Sequence, residues 1–113
     1  MKGDQLFVVH MLECISHIET FTKAGLSAYQ SERLIQDAVL RNLQVLSESS
    51  QKLSVQLRNA HPEIPWRGIA GFRNVLVHDY MGIDHDEVWQ IVAHFLPELK
   101  KKLSAIASDH GWP

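Results

Sequence analysis

Apolar residues recur every three or four positions along most of this chain, a period that predicts helices rather than strands. Val8, Met11, Leu12, Ile15 and Ile18 trace one face of a first helix, which Asp4 can cap and which runs to about Phe21. Lys23-Ala-Gly25 ends it. A second, longer helix starts at Ser27 or Ser31 and reaches roughly Leu57. Its stripe is Leu34, Ile35, Ala38, Val39, Asn42, Leu46, Ser49 and Leu53, in which Asn42 and Ser49 call for a polar partner.

The segment His61-Pro-Glu-Ile-Pro65 breaks that pattern, because proline cannot continue a helix. Pro65 then fits the first turn of a third helix, Trp66 to about Val77, with Gly82 at its exit. Asp84, with Glu87 three positions on, forms an acidic capping box for a fourth helix. Val88, Ile91, Val92 and Phe95 make its buried stripe. Pro97 begins or kinks a last segment through Leu99, Leu103, Ile106 and Ala107, and the Gly-Trp-Pro tail is expected to be loose. The pattern predicts an all-α, up-and-down bundle of four to five helices, one domain over residues 1–113.

Composition narrows the classes. A hydrophobic content of 45% argues against disorder, and the longest apolar runs, Leu6–Val9 and Val75–Val77, are far too short to cross a bilayer. Met-Lys-Gly-Asp leads into only four apolar residues before His10, which is not a secretory signal. Cys14 stands alone, so no intrachain disulfide forms and a reducing cytoplasm is the expected compartment. The net charge of −2 argues against coating nucleic acid by charge alone. Lys100-Lys101-Lys102 is the one basic run, read as a solvated face.

Chemistry concentrates in Arg73-Asn-Val-Leu-Val-His-Asp-Tyr80. Arg73 can clamp a phosphate through two parallel N–H bonds. His78 can give or take a proton near neutral pH. Tyr80 adds a phenol that donates a hydrogen bond or accepts a transferred group. On a uniform helix Arg73 and Tyr80 lie ~20° apart in azimuth but Arg73 and His78 ~140° apart. One helix therefore does not converge both on one phosphate. Either the helix unwinds near His78 or a second copy, paired through the third helix, supplies the complement; a twofold dimer is favoured.

The Arg73-x4-His78-x-Tyr80 spacing, the approach Ile64-Pro-Trp-Arg-Gly-Ile-Ala-Gly-Phe72 and the earlier Asp37-Ala-Val-Leu-Arg-Asn-Leu43 together resemble the HepT-like branch of the HEPN superfamily, over nearly the whole chain. The resemblance implies an all-helical homodimer that is a metal-independent endoribonuclease, the toxin of a type II-like toxin–antitoxin system. It implies attack of an RNA 2′-OH on the adjacent phosphorus, with tRNA or mRNA as substrate and DNA untouched. His78 would be the general base or acid, and Arg73 would stabilise the phosphorane. Asn74 and Asp79 are supporting candidates. A neighbouring MntA-like nucleotidyltransferase antitoxin would move AMP from ATP onto Tyr80, adding bulk and negative charge at the mouth of the RNA site.

Other constellations carry less. His10, Glu13 and His17 share a face of the first helix, but the further Glu and His of a carboxylate-bundle metal site are missing, so no metal is expected. His78, Asp79, Asp84, His85 and Asp86 surround a turn and read as acidic caps. Asp37 and Arg41 are read as a structural ion pair. No Gly-rich phosphate loop occurs, so no nucleotide cofactor is expected. The competing reading is a non-catalytic helical partner, or a substrate-binding subunit, of a nucleotidyltransferase.

Overall fold

The computed structural model describes residues 2–76 and 82–112, and every regular element among them is helical. α1 (Lys2–Phe21) and α3 (Arg33–Gln51) form the central pair, and α8 (Leu96–Asp109) packs on α1. Val8, Met11, Ile15 and Ile18 of α1 close on Val39, Leu43 and Leu46 of α3 and on Leu99, Leu103 and Ile106 of α8. Each is sealed from solvent to within 2%. Burying one such side chain is worth ~1.5–3 kcal/mol.

The expected Asp4 cap is a correction. α1 already begins at Lys2, and Asp4 lies within its first turn. Its buried carboxylate instead accepts from the Ser54 backbone N–H (2.8 Å) and from Ser54 Oγ (2.7 Å). Ser54 Oγ in turn accepts from Leu57 N at 3.0 Å and starts α4 (Val55–Ala60). That relay is one reason the long second helix predicted through Leu57 does not form. The other is Glu32, extended at φ −115°, ψ 109°, which separates α2 (Leu26–Ser31) from α3.

The break also moves the buried stripe. Leu34, in the first turn of α3, is 86% exposed, while Leu43, absent from the predicted stripe, is fully buried. The polar partner expected for Asn42 is His17, whose Nδ1 lies 3.2 Å from Asn42 Oδ1, and Asn42 Nδ2 donates to Ala38 O.

The predicted third helix is split at Gly71 into α5 (Trp66–Ala70) and α6 (Phe72–Leu76). Pro65 stands just before α5 as its N-cap. The fourth helix starts as predicted: Asp84 Oδ1 accepts from Glu87 N at 3.1 Å to open α7 (His85–Gln90). Of its predicted stripe only Val88 is fully buried; Ile91, Val92 and Phe95 are half-buried against the core. Pro97 stands in the opening turn of the last segment, as expected. Residues Ile91–Phe95 widen into a π turn, with Leu96 N–H donating to Ile91 O five positions back, and α8 continues with Pro97 in its first turn. A widened turn removes the clash a proline ring makes with the carbonyl four residues earlier.

The tail is not loose as far as Trp112. Gly111 N–H reaches Ser108 O, and Trp112 N–H reaches Ala107 O at 2.8 Å. With Gly111 at φ 71°, this is a Schellman closure. Trp112 stacks on His110 at 4.5 Å and packs against the core.

Candidate active site

Arg73 is placed by the residues on either side of it. Ile64 is buried and Pro65 turns the chain into α5. Trp66 is pinned by its indole N–H, 3.1 Å from both Arg58 O and His61 O. Gly71 joins α5 to α6 in a right-handed helical turn (φ −69°, ψ −13°), its N–H donating to Arg67 O at 2.9 Å. Phe72 then drives inward and meets Phe95 edge-on at 5.2 Å. With position 72 inside, positions 73 and 74 fall outside: Arg73 and Asn74 are exposed. His78, Asp79 and Tyr80 lie outside the described residues.

The Arg73 side chain lines a groove of about 360 Å³ between α6 and α3, with Ala70 and Leu76 beside it. From α3 come Gln44, Ser47, Glu48 and Gln51. Three of them are coupled to their neighbours: Gln44 Nε2 donates to Glu48 Oε2 (3.3 Å), Arg41 Nη1 donates to Gln44 Oε1 (3.5 Å), and Ser47 is buried with its carbonyl accepting from Ser50 Oγ (2.6 Å). The motif spacing alone singles out Arg73 as a candidate. Nothing in it reveals the α3 side of the groove, because those polar residues look like an ordinary solvated helix face.

Beyond the motif, Gly82 (φ 76°) is in the left-handed region that favours glycine, and Ile83 packs against the core. His85 Nδ1 then lies 2.7 Å from the Tyr29 hydroxyl. Tyr29 is fully buried, with the Trp89 ring 5.4 Å away, and burial pushes its phenol up to about 12. Sequence reasoning misses this pair, since 56 positions separate its members and no local pattern links them.

Residues 11–106 match the HepT-like family, described as ribonuclease HepT-like. The chain belongs to that family. Among its relatives, the protein of Thermococcus cleftensis named "Probable ribonuclease HepT" is 33% identical over 101 residues, covering 88% of this chain and 92% of that one. "Putative RNase MJ1216" of Methanocaldococcus jannaschii is 34% identical over 91% of this chain and 86% of its own length. "Putative RNase TTE0752" of Caldanaerobacter subterraneus is 29% identical over 94% and 96%. No solved structure matches the chain.

In this HepT-like chain the remaining candidates resolve into structural parts. Asp37 pairs with Arg33 at 3.7 Å rather than with Arg41, whose guanidinium is turned along the helix toward Gln44. The lysine run is largely engaged: Lys100 bridges to Glu19 of α1 (3.0 Å), Lys101 to Glu98 (3.6 Å), and Lys102 donates to Glu63 O (3.0 Å). His17 of the His10-Glu13-His17 face is turned to Asn42, and no group of three His, Cys, Asp or Glu fit to hold a metal occurs among the described residues. Cys14 is buried, and desolvation first, then Glu13, raise its thiol pKa. No described helix is long and apolar enough to cross a membrane.

Proposed function

We propose that this chain, as one HEPN-like domain over residues 1–113, is a metal-independent endoribonuclease toxin that works as a homodimer. The observation that carries the reading is an exposed Arg73 on the wall of an open groove, in a chain of a ribonuclease family. His78 takes the proton from an RNA 2′-OH, and the oxygen attacks the adjacent phosphorus. The P–O5′ bond breaks, a proton passes to the departing 5′ oxygen, and a 2′,3′-cyclic phosphate remains. Arg73 stabilises the charge that builds on the phosphorane. Asn74 and Asp79 assist by orienting the imidazole or the phosphate.

Two copies pairing through the motif-bearing helix pool their arginines and histidines, which offsets a net charge of −2 at the site itself. DNA, lacking the 2′-OH, is spared. A cognate MntA-like nucleotidyltransferase silences the enzyme by joining AMP to Tyr80, where a new negative charge repels the RNA backbone.

Purified protein incubated with tRNA and mRNA in EDTA tests the chemistry. Arg73→Ala and His78→Ala should each cut at least ~10²-fold more slowly, the usual loss when a transition-state donor goes. Equal cleavage by all three proteins sinks the assignment. Sedimentation gives the oligomeric state separately. Co-expression with the transferase should raise the intact mass by whole AMP units, and a shift that survives Tyr80→Phe puts the modification elsewhere.

A further inference from the structure

We infer that the α3–α6 groove is a nucleobase subsite beside the phosphate held by Arg73, and that Glu48 selects bases presenting N–H donors. The inference rests on the ribonuclease reading and adds the substrate preference of the same site.

The groove is small and mixed in character. At about 360 Å³ it suits one planar ring system rather than a duplex. Gln44, Glu48 and Gln51 all line it and stand at helical spacings of four and three, so they form one row along α3. A carboxylate in that row repels a phosphate and accepts from N–H groups. The backbone therefore stays at Arg73, and the groove takes what hangs from it.

Glu48 is also oriented. Gln44 spends its amide N–H on Glu48 Oε2, while Arg41 holds the Gln44 oxygen. Oε1 of Glu48 forms no hydrogen bond within the described residues, which leaves it for a ligand. RNA bases splayed from a single strand are read on their Watson–Crick edges. Guanine offers adjacent N1–H and N2–H donors to one carboxylate, and cytosine and adenine each offer an amino group. Uracil offers a lone N–H between two carbonyl oxygens that the carboxylate repels. Guanine should bind best and uracil worst, with Gln51 free to meet the remaining base atoms.

Binding of short single-stranded RNAs to His78→Ala protein tests this without cleavage. The probes are a uridine tetramer and the same tetramer with one guanosine. The guanosine oligomer should bind roughly tenfold tighter, the scale of one hydrogen bond to a charged acceptor. Glu48→Gln should erase that difference, weakening the guanosine oligomer and tightening the uridine tetramer. Glu48 is exposed, so the variant should fold, with its melting curve as the check. Equal affinity for the two oligomers overturns the inference. So does Glu48→Gln weakening both equally, which would make Glu48 a support for Arg73 instead. Base preference in a protein that cuts no RNA would remove the nuclease reading and leave the subsite standing; cleavage without base preference would do the reverse.

Discussion

Along α1 and α3 the interior is broad: helices of 20 and 19 residues press rows of Val, Met, Ile and Leu together, with His17 and Asn42 a polar pair between them. Around the motif the helices are five or six residues long, and much of their placement comes from single anchors. Trp66 hangs on two carbonyls, Phe72 leans on Phe95, and Tyr29 holds His85. Helices that short do not persist alone, because nucleation costs more than a few turns return. The contrast separates two jobs: a broad apolar slab supplies stability, and point anchors set the direction of the side chains that flank the motif.

Truncation inside the slab should have the largest effect on stability. Leu43→Ala is expected to cost ~2–5 kcal/mol, read as a lower urea midpoint at unchanged slope. A loss below 1 kcal/mol would show that the slab is not the main store of stability. Tyr29→Phe comes next, at ~1–2 kcal/mol, because it strips His85 of its partner while keeping the ring.

The same variant isolates a pH effect. The folded phenol titrates near 12, above its ordinary 10, so the folded chain keeps a proton that the unfolded chain gives up. Stability is full below pH 10 and falls as pH rises toward 12, by up to ~1.4 kcal/mol per unit. Wild type should therefore lose stability over that window faster than Tyr29→Phe does; parallel curves would mean that burial of the phenol does not govern its titration.

Trp66→Phe should cost ~1 kcal/mol or less globally, yet raise amide exchange in α5 and α6 well above that in α3. Uniform exchange across both regions would dissolve the contrast. The smallest signal is chemical: Cys14, buried with its pKa raised, should react with a thiol reagent at pH 8 far more slowly than a free cysteine. Rapid labelling would show that α1 opens from the slab.

The slab is also the region most legible in the sequence. Val8, Met11, Ile15 and Ile18 follow one period, and the Asp84 cap with its Glu87 amide is a local signature. What stays hidden is long-range. Asp4 looks like a cap for its own helix, but Ser54 is 50 positions away and takes its carboxylate. Glu32 carries no proline or glycine warning of the extended residue that divides α2 from α3. Gly71, read as part of an approach motif, gives no sign that it splits a helix in two. At the candidate site, Arg73 is singled out by spacing, whereas Glu48 and Gln51 join it only once α6 is laid beside α3.

The π turn before Pro97 has a geometric consequence for the α8 face. Such a turn amounts to one surplus residue threaded into an α-helix, and each residue carries ~100° of rotation. Wound as a uniform α-helix from His85 to Asp109, the same residues would carry that extra ~100° into α8 and swing Leu99, Leu103 and Ile106 more than a quarter-turn off α1. The apparent irregularity is thus the phase adjustment that lets one continuous rod serve two differently oriented neighbours.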